Sequence, residues 1–344
     1  MKIDSYNSQK IRVLSFWMIV MVVYIHSYYL EAETRAIPNF IQMLGCSLTS
    51  VAVPLFYAIS GFLFFNDIST TKKCFPKITK RVRTLLVPYL IWNVIFVLWY
   101  VVLAFTPGVS QYINSDMLSN LSYLHPLDTL YYIFIKPAGF QMWFLRDLIL
   151  FVLLSPLLYV SIKKTRWLPF VVILLATGWM TRFWLTSFVL GGTLATCYQN
   201  GLNARHSRRN VIFVIVLYLT YSVLCALGLT STGLVIIDRY ISQVTAIVFM
   251  YAIWGGYDLF IQRGYVPSEC LSTAMGYTFF IFLFHEPTFN IIKKIGLKIL
   301  GVGDVQLIVL YLINPLIMVG VAVCVGYILQ RTMLKVYSIL VGGR

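Results

Sequence analysis

The stretch IRVLSFWMIVMVVYIHSYY, residues 11–29, carries Arg12 at its start, runs through thirteen uncharged residues and reaches His26 near its end. Crossing a hydrocarbon core of about 30 Å takes roughly 20 apolar residues as helix, and this run has that length. An ionisable side chain at such a depth costs roughly 3 kcal/mol or more unless it meets a partner or a cavity. Two readings follow. Either Arg12 anchors a first membrane helix at the surface and His26 satisfies a nearby carbonyl, or the helix is one wall of a polar site.

The rest of the chain settles the class. Of 344 residues, 59% are hydrophobic and 11% charged, with a mean hydropathy of +0.81, whereas a soluble domain carries about a quarter charged residues. The net charge of +15 comes from short basic blocks between apolar runs, a membrane topology signal rather than a nucleic-acid patch. Cys46, Cys74, Cys197, Cys225, Cys270 and Cys324 show no CxxC or Cys/His pairing, so neither a disulfide framework nor a metal site is indicated. Lys2, Lys10 and Arg12 ahead of an apolar run mimic a signal peptide, but no small-x-small cleavage site follows, and the run is expected to stay as a helix.

The expected fold is all-α, a transmembrane bundle of about ten spans in one domain over residues 1–344. Spans are placed near 11–30, 47–66, 84–105, 142–162, 168–182, 184–200, 210–229, 240–261, 271–291 and 306–331. The fifth and sixth are short. Assigning every Lys and Arg to a side puts 19 of the 27 with the N-terminus, in the blocks at 2–12, 72–83, 163–166, 205–209, 263 and 331–344. Both termini are therefore expected in the cytoplasm. An outer loop over about 106–141 is the longest extramembrane segment, and no separate soluble domain or internal repeat is evident.

In this frame His26 lies about 21 Å beyond Arg12 along the helix axis and about 40° from it around the axis. His285 and Glu286 in TAMGYTFFIFLFHEPTFN, Arg146 and Asp147 in QMWFLRDLILF, and Arg182 reach a similar outer depth. Interfacial anchors and salt bridges explain such a set; a buried polar cavity is the rival reading. On the inner face, TTKKCFPKITKRVRTLLVPYL brings six basic residues ahead of the third span. Anionic lipid is the ordinary partner of such a run. A phosphate-rich cytosolic ligand is the sharper one, with Lys80, Arg81 and Arg83 at the helix entrance.

These segments resemble the acyltransferase-three family of integral membrane O-acyltransferases, which modify bacterial surface sugars. The likeness covers essentially the whole chain and rests on MVVYIHS, VPLFYAISGFLFF, KRVRTLLVPYLIW, QMWFLRDLILFVLLSP and FFIFLFHEP in that order. It implies a multi-pass protein of the bacterial cytoplasmic (inner) membrane. The implied reaction moves an acyl group, usually acetyl from cytosolic acetyl-CoA, to a sugar hydroxyl on a carbohydrate acceptor at the outer face. By resemblance His26 is the essential first-span histidine, His285 the histidine of the ninth span, and Ser60 with Gly61 the small pair of the second. The basic pair entering the third span maps onto Lys80, Arg81 and Arg83 without a unique register. The family arginine expected eleven residues before His26 is Ser15 here, with Arg12 one turn earlier.

A sugar hydroxyl needs its proton removed as it attacks a thioester, and histidine suits that task. His26 is accordingly the expected base, or an acyl-histidine relay, with Arg12 and His285 grouped with it. Lys80, Arg81, Arg83 and Ser60 are the expected donor site. Trp143, Arg146, Asp147, Arg182 and Glu286 are the expected acceptor site, His285 also being placed against it. The competing class is a polysaccharide exporter, flippase or repeat-unit polymerase without acyl transfer.

Overall fold

The structure, a computed structural model, describes residues 3–106, 130–131, 134–177, 184–198, 206–261 and 264–343. Most of the expected outer loop, together with Arg182, lies outside the described residues. In chain order the helices are α1 (Ser5–Ile25), α2 (Ala36–Thr49), α3 (Ala52–Phe65), α4 (Cys74–Phe105), α5 (Trp143–Thr165), α6 (Leu168–Thr177) and α7 (Trp184–Cys197). They continue as α8 (Arg208–Ala226), α9 (Val235–Phe260), α10 (Glu269–Gly276), α11 (Thr278–Leu300), α12 (Asp304–Thr332) and α13 (Leu334–Leu340). No strand occurs among the described residues.

Among the described residues, seven helical segments are long and apolar enough to cross a membrane: Ser5–Ile25, Ala36–Phe65, Thr71–Leu103, Phe140–Thr165, Arg208–Ala226, Val235–Phe260 and Asp304–Thr332. The chain is a multi-pass, all-helical membrane protein. The short fifth and sixth segments are α6 and α7, of 10 and 14 residues. At 1.5 Å per residue α6 covers about 15 Å, half the hydrocarbon thickness. The ninth expected span is divided between α10 and α11, and α11 is kinked at Glu286 (φ −109°, ψ 140°).

Prolines account for where several helices start and bend. Pro54 has no N–H to donate to the Ser50 carbonyl, so the apolar segment 36–65 breaks at Ser50 and Val51 instead of running straight from residue 47. The Ser50 hydroxyl turns back to the Ser47 carbonyl at 2.7 Å. Pro76 sits in the first turn of α4, where a missing N–H costs nothing. That helix therefore starts at Cys74, ten residues before the expected apolar span. Lys80, Arg81 and Arg83 consequently occupy its second and third turns rather than its N-terminus.

α1 is the central pillar. Asp4 caps it, accepting from the Asn7 N–H at 2.7 Å, and Val13, Leu14, Phe16, Met18, Ile19, Val20, Val22 and Val23 are all buried. Burial on so many sides marks a helix surrounded by others; α1 packs against α2, α3, α11 and α12. α3 and α7 pack in direct contact. A Cβ on Gly61 would fall on the Phe188 carbonyl oxygen, and one on Gly191 on the Ala58 carbonyl oxygen. Small residues thus let the two backbones touch, the usual device where lipid supplies no hydrophobic drive. Gly61 faces α7, and its neighbour Ser60 is turned about 100° from it around α3.

Candidate active site

Ser15, Val22 and His26 fall on one stripe of α1, at spacings of seven and four. That stripe faces a cavity of about 1290 Å³. Between Ser15 and His26 the cavity follows α1 for about 16 Å, roughly half the membrane thickness. α3, α4, α5 and the first half of α11 supply further walls through Phe56, Ser60, Arg81, Leu85, Trp143, Asp147, Thr278 and Phe282, and Cys46 of α2, Trp184 of α7 and the segment 135–141 complete them. Ser15 and His26 mark the two ends of this stretch; Ser60 and Arg81 also line the cavity, as do Gln141, Trp143, Arg146 and Asp147.

Near Arg81 the three basic residues of α4 are placed differently. Successive helical residues turn by about 100°, so Lys80, Arg81 and Arg83 point in three directions. Arg81 is half-buried and lines the cavity with Leu85, one turn further on. Lys80 and Arg83 are exposed and lie away from the lining. Lys77, one turn before Arg81, is committed to the scaffold: its Nζ donates to the Phe64 carbonyl at 2.7 Å and stands 3.7 Å from Asp67. Arg12 does not reach the cavity. It is exposed and donates through Nη2 to the Ser272 carbonyl of α10 at 2.9 Å.

At the other end His26 is the residue that closes α1, its N–H bonded to the Val23 carbonyl at 3.1 Å. Its ring meets Phe140 edge-on, centroids 5.7 Å apart, and lies 5.2 Å from the ring of His285. Arg146 donates to the neighbouring Asp147 carboxylate through Nε at 2.9 Å and Nη2 at 2.8 Å, and to the Ile135 carbonyl through Nη1. Both members of that pair line the cavity, beside Trp143, which packs on Trp184 with centroids 5.4 Å apart. His285 and Glu286 are buried and are not among the residues that line the cavity. His285 sits beside His26, just before the kink at Glu286, instead of on the cavity wall.

Two residues absent from the sequence-derived set hold this end together. Lys293 donates through Nζ to the carbonyls of His26 at 3.1 Å and Tyr28 at 2.6 Å. It satisfies acceptors that the end of a helix leaves free. Glu286, Asn290 and Lys293 fall at i, i+4 and i+7, and the Asn290 amide donates to Glu286 Oε2 at 2.7 Å. That spacing was the available signal. Gln141 is the second brace: Pro287 cannot donate to the Leu283 carbonyl, and Gln141 Nε2 takes that place at 3.1 Å, bonding the Glu286 carbonyl at 2.8 Å as well.

Comparison with known proteins gives this arrangement its class. The family described as "acyltransferase domain" matches residues 10–331, a stretch that takes in every wall of the cavity. The chain belongs to the acyltransferase-three family. The acyltransferase is also similar to the succinoglycan biosynthesis protein ExoH of Rhizobium meliloti (strain 1021), with 25% identity over 362 residues, 99% of this chain and 94% of that protein. No solved structure matches the chain. Membership decides for an enzyme and against an exporter, flippase or polymerase without acyl transfer.

Proposed function

We propose that the acyltransferase moves an acyl group from a cytosolic acyl-CoA, acetyl-CoA first among them, to a sugar hydroxyl of a surface polysaccharide or its lipid-linked precursor. The observation that carries this reading is one cavity lined by Arg81, Ser60 and His26 together. The likeness to a succinoglycan biosynthesis protein supports a polysaccharide acceptor. In this reading the chain crosses the bacterial inner membrane ten times, α6, α7 and the α10–α11 pair completing the seven long segments, with both termini in the cytoplasm.

Arg81 holds a phosphate of the nucleotide in a charge-assisted hydrogen bond, and the pantetheine arm runs past Ser60 and Ser15 towards His26. The sugar enters among Trp143, Trp184 and Phe140, whose faces suit the apolar face of a pyranose, with the Arg146–Asp147 pair bonding its hydroxyls. His26 takes the hydroxyl proton as the oxygen attacks the thioester carbonyl. The carbon–sulfur bond then breaks, and the imidazolium returns the proton to the departing thiolate. An acyl-histidine relay at the same residue uses the same two ends.

Mass analysis of surface polysaccharide tests the reading in three strains: with the protein, without it, and with His26→Ala at equal membrane abundance. The acyl mass increment is expected only in the first. Its persistence in the His26→Ala strain would remove His26 from the chemistry.

A further inference from the structure

His285 has a role that its position behind the cavity defines. Its Nδ1 lies 2.8 Å from the Phe282 carbonyl oxygen and 3.2 Å from that of Ile281. Carbonyl oxygens only accept, so the proton of the neutral imidazole sits on Nδ1 and Nε2 carries a lone pair. That Nε2 is buried and has no hydrogen-bond partner among the described residues, although the side chain as a whole is fully enclosed. An acceptor left bare in such a place costs about 1–3 kcal/mol and calls for a donor. The neighbouring ring that can supply one is His26, 5.2 Å away between centroids and inclined at 46°. Phe140, on another side of the His26 ring, offers no acceptor.

We infer that His285 is a positioning residue that sets the tautomer of His26: one His26 N–H donates to His285 Nε2, and the other ring nitrogen is thereby left unprotonated and turned into the cavity. This rests on His26 being the base. A rotation of the His26 ring closes the bond, as catalytic hydrogen bonds commonly tighten when substrate is bound. The electron balance is unchanged, because His285 keeps its own proton and accepts none. The sugar proton goes to the cavity-facing nitrogen of His26 and from there to the thiolate of CoA. The role is the one a buried carboxylate fills in other triads, carried out here by a neutral acceptor that adds no charge to the membrane interior.

The lone pair sits on Nε2, and a glutamine amide oxygen reaches that point, whereas an asparagine oxygen reaches only as far as Nδ1. The test compares His285→Gln, His285→Asn and His285→Phe with the wild type in isolated membranes. Acetyl-CoA and succinyl-CoA are supplied in parallel, polysaccharide from a strain lacking the protein is the acceptor, and transferred acyl mass is followed. His285→Phe and His285→Asn are expected to lose on the order of 100-fold in kcat with the donor KM unchanged. His285→Gln is expected to recover at least tenfold of that loss. Equal activity of the Gln and Asn variants overturns the inference, as does wild-type kcat in His285→Phe. Should the Phe variant fail to accumulate, the Gln and Asn pair still decides. A dead His26→Ala enzyme beside a fully active His285→Phe enzyme defeats this inference alone; an active His26→Ala enzyme defeats the base assignment itself.

Discussion

Replacing Arg81 by alanine should weaken acyl-CoA binding by one to two orders of magnitude, while Lys80→Ala and Arg83→Ala leave it nearly unchanged. The three residues are close in sequence and equal in charge, but only Arg81 is half-buried on the cavity wall. A hydrogen bond from a charged donor is worth about 1.5–3 kcal/mol where water is partly excluded, and each 1.4 kcal/mol is tenfold in Kd. The loss for Arg81→Ala is therefore about 10- to 100-fold. Exposed Lys80 and Arg83 act across solvent, where an ion pair contributes about 0–1 kcal/mol, at most about fivefold. Arg81→Lys keeps the charge but loses the planar fork and should fall between. Calorimetric titration of the purified protein in detergent with acetyl-CoA and succinyl-CoA measures all four variants. A loss in Arg83→Ala or Lys80→Ala as large as that in Arg81→Ala would refute the assignment of the donor end.

Lys293→Met removes the donor from the His26 and Tyr28 carbonyls, two acceptors at about 1–3 kcal/mol each. It should lower stability by about 3 kcal/mol in denaturant titration of the solubilised protein, and unchanged stability would show that water serves those carbonyls equally well. Gly61→Ala drives a methyl group into the Phe188 carbonyl, an overpacking worth about 3 kcal/mol. Gly320→Ala, where nothing lies within 4 Å of the new carbon, should be neutral or stabilising by up to about 1 kcal/mol. Thermal unfolding of the two variants side by side checks the contrast, and equal midpoints would mean that α3 and α7 can separate freely.

Long apolar segments were legible because hydropathy integrates over some twenty residues and tolerates local irregularity. The boundaries were less so. The apolar run at 47–66 hides the break at Ser50 and Val51, which depends on one absent N–H at Pro54. His26 was legible as an isolated ionisable group in an apolar run, and the cavity lies against it. The reach of Arg12 was not, because its angle about α1 permits the cavity and only the placement of α10 decides for the Ser272 carbonyl. Which of Lys80, Arg81 and Arg83 reaches the cavity wall depends on the rotational phase of α4, and composition carries no phase. Lys293 was counted as an ordinary basic residue of the other side. Its role depends on the kink at Glu286, which turns the far half of α11 onto the end of α1.

The brace at Gln141 makes chain length between neighbouring helices a constrained quantity. Its amide bonds two carbonyls of α11 from the short turn that leads into α5. Five residues further along the chain, Arg146 lines the cavity. One residue inserted between them would turn Gln141 by about 100° relative to Arg146, leaving the Leu283 carbonyl with no donor from either helix. Hydropathy would not register the change, and the segment would still cross the bilayer. In this part of the acyltransferase the spacing of residues is therefore as much a part of the site as their identity.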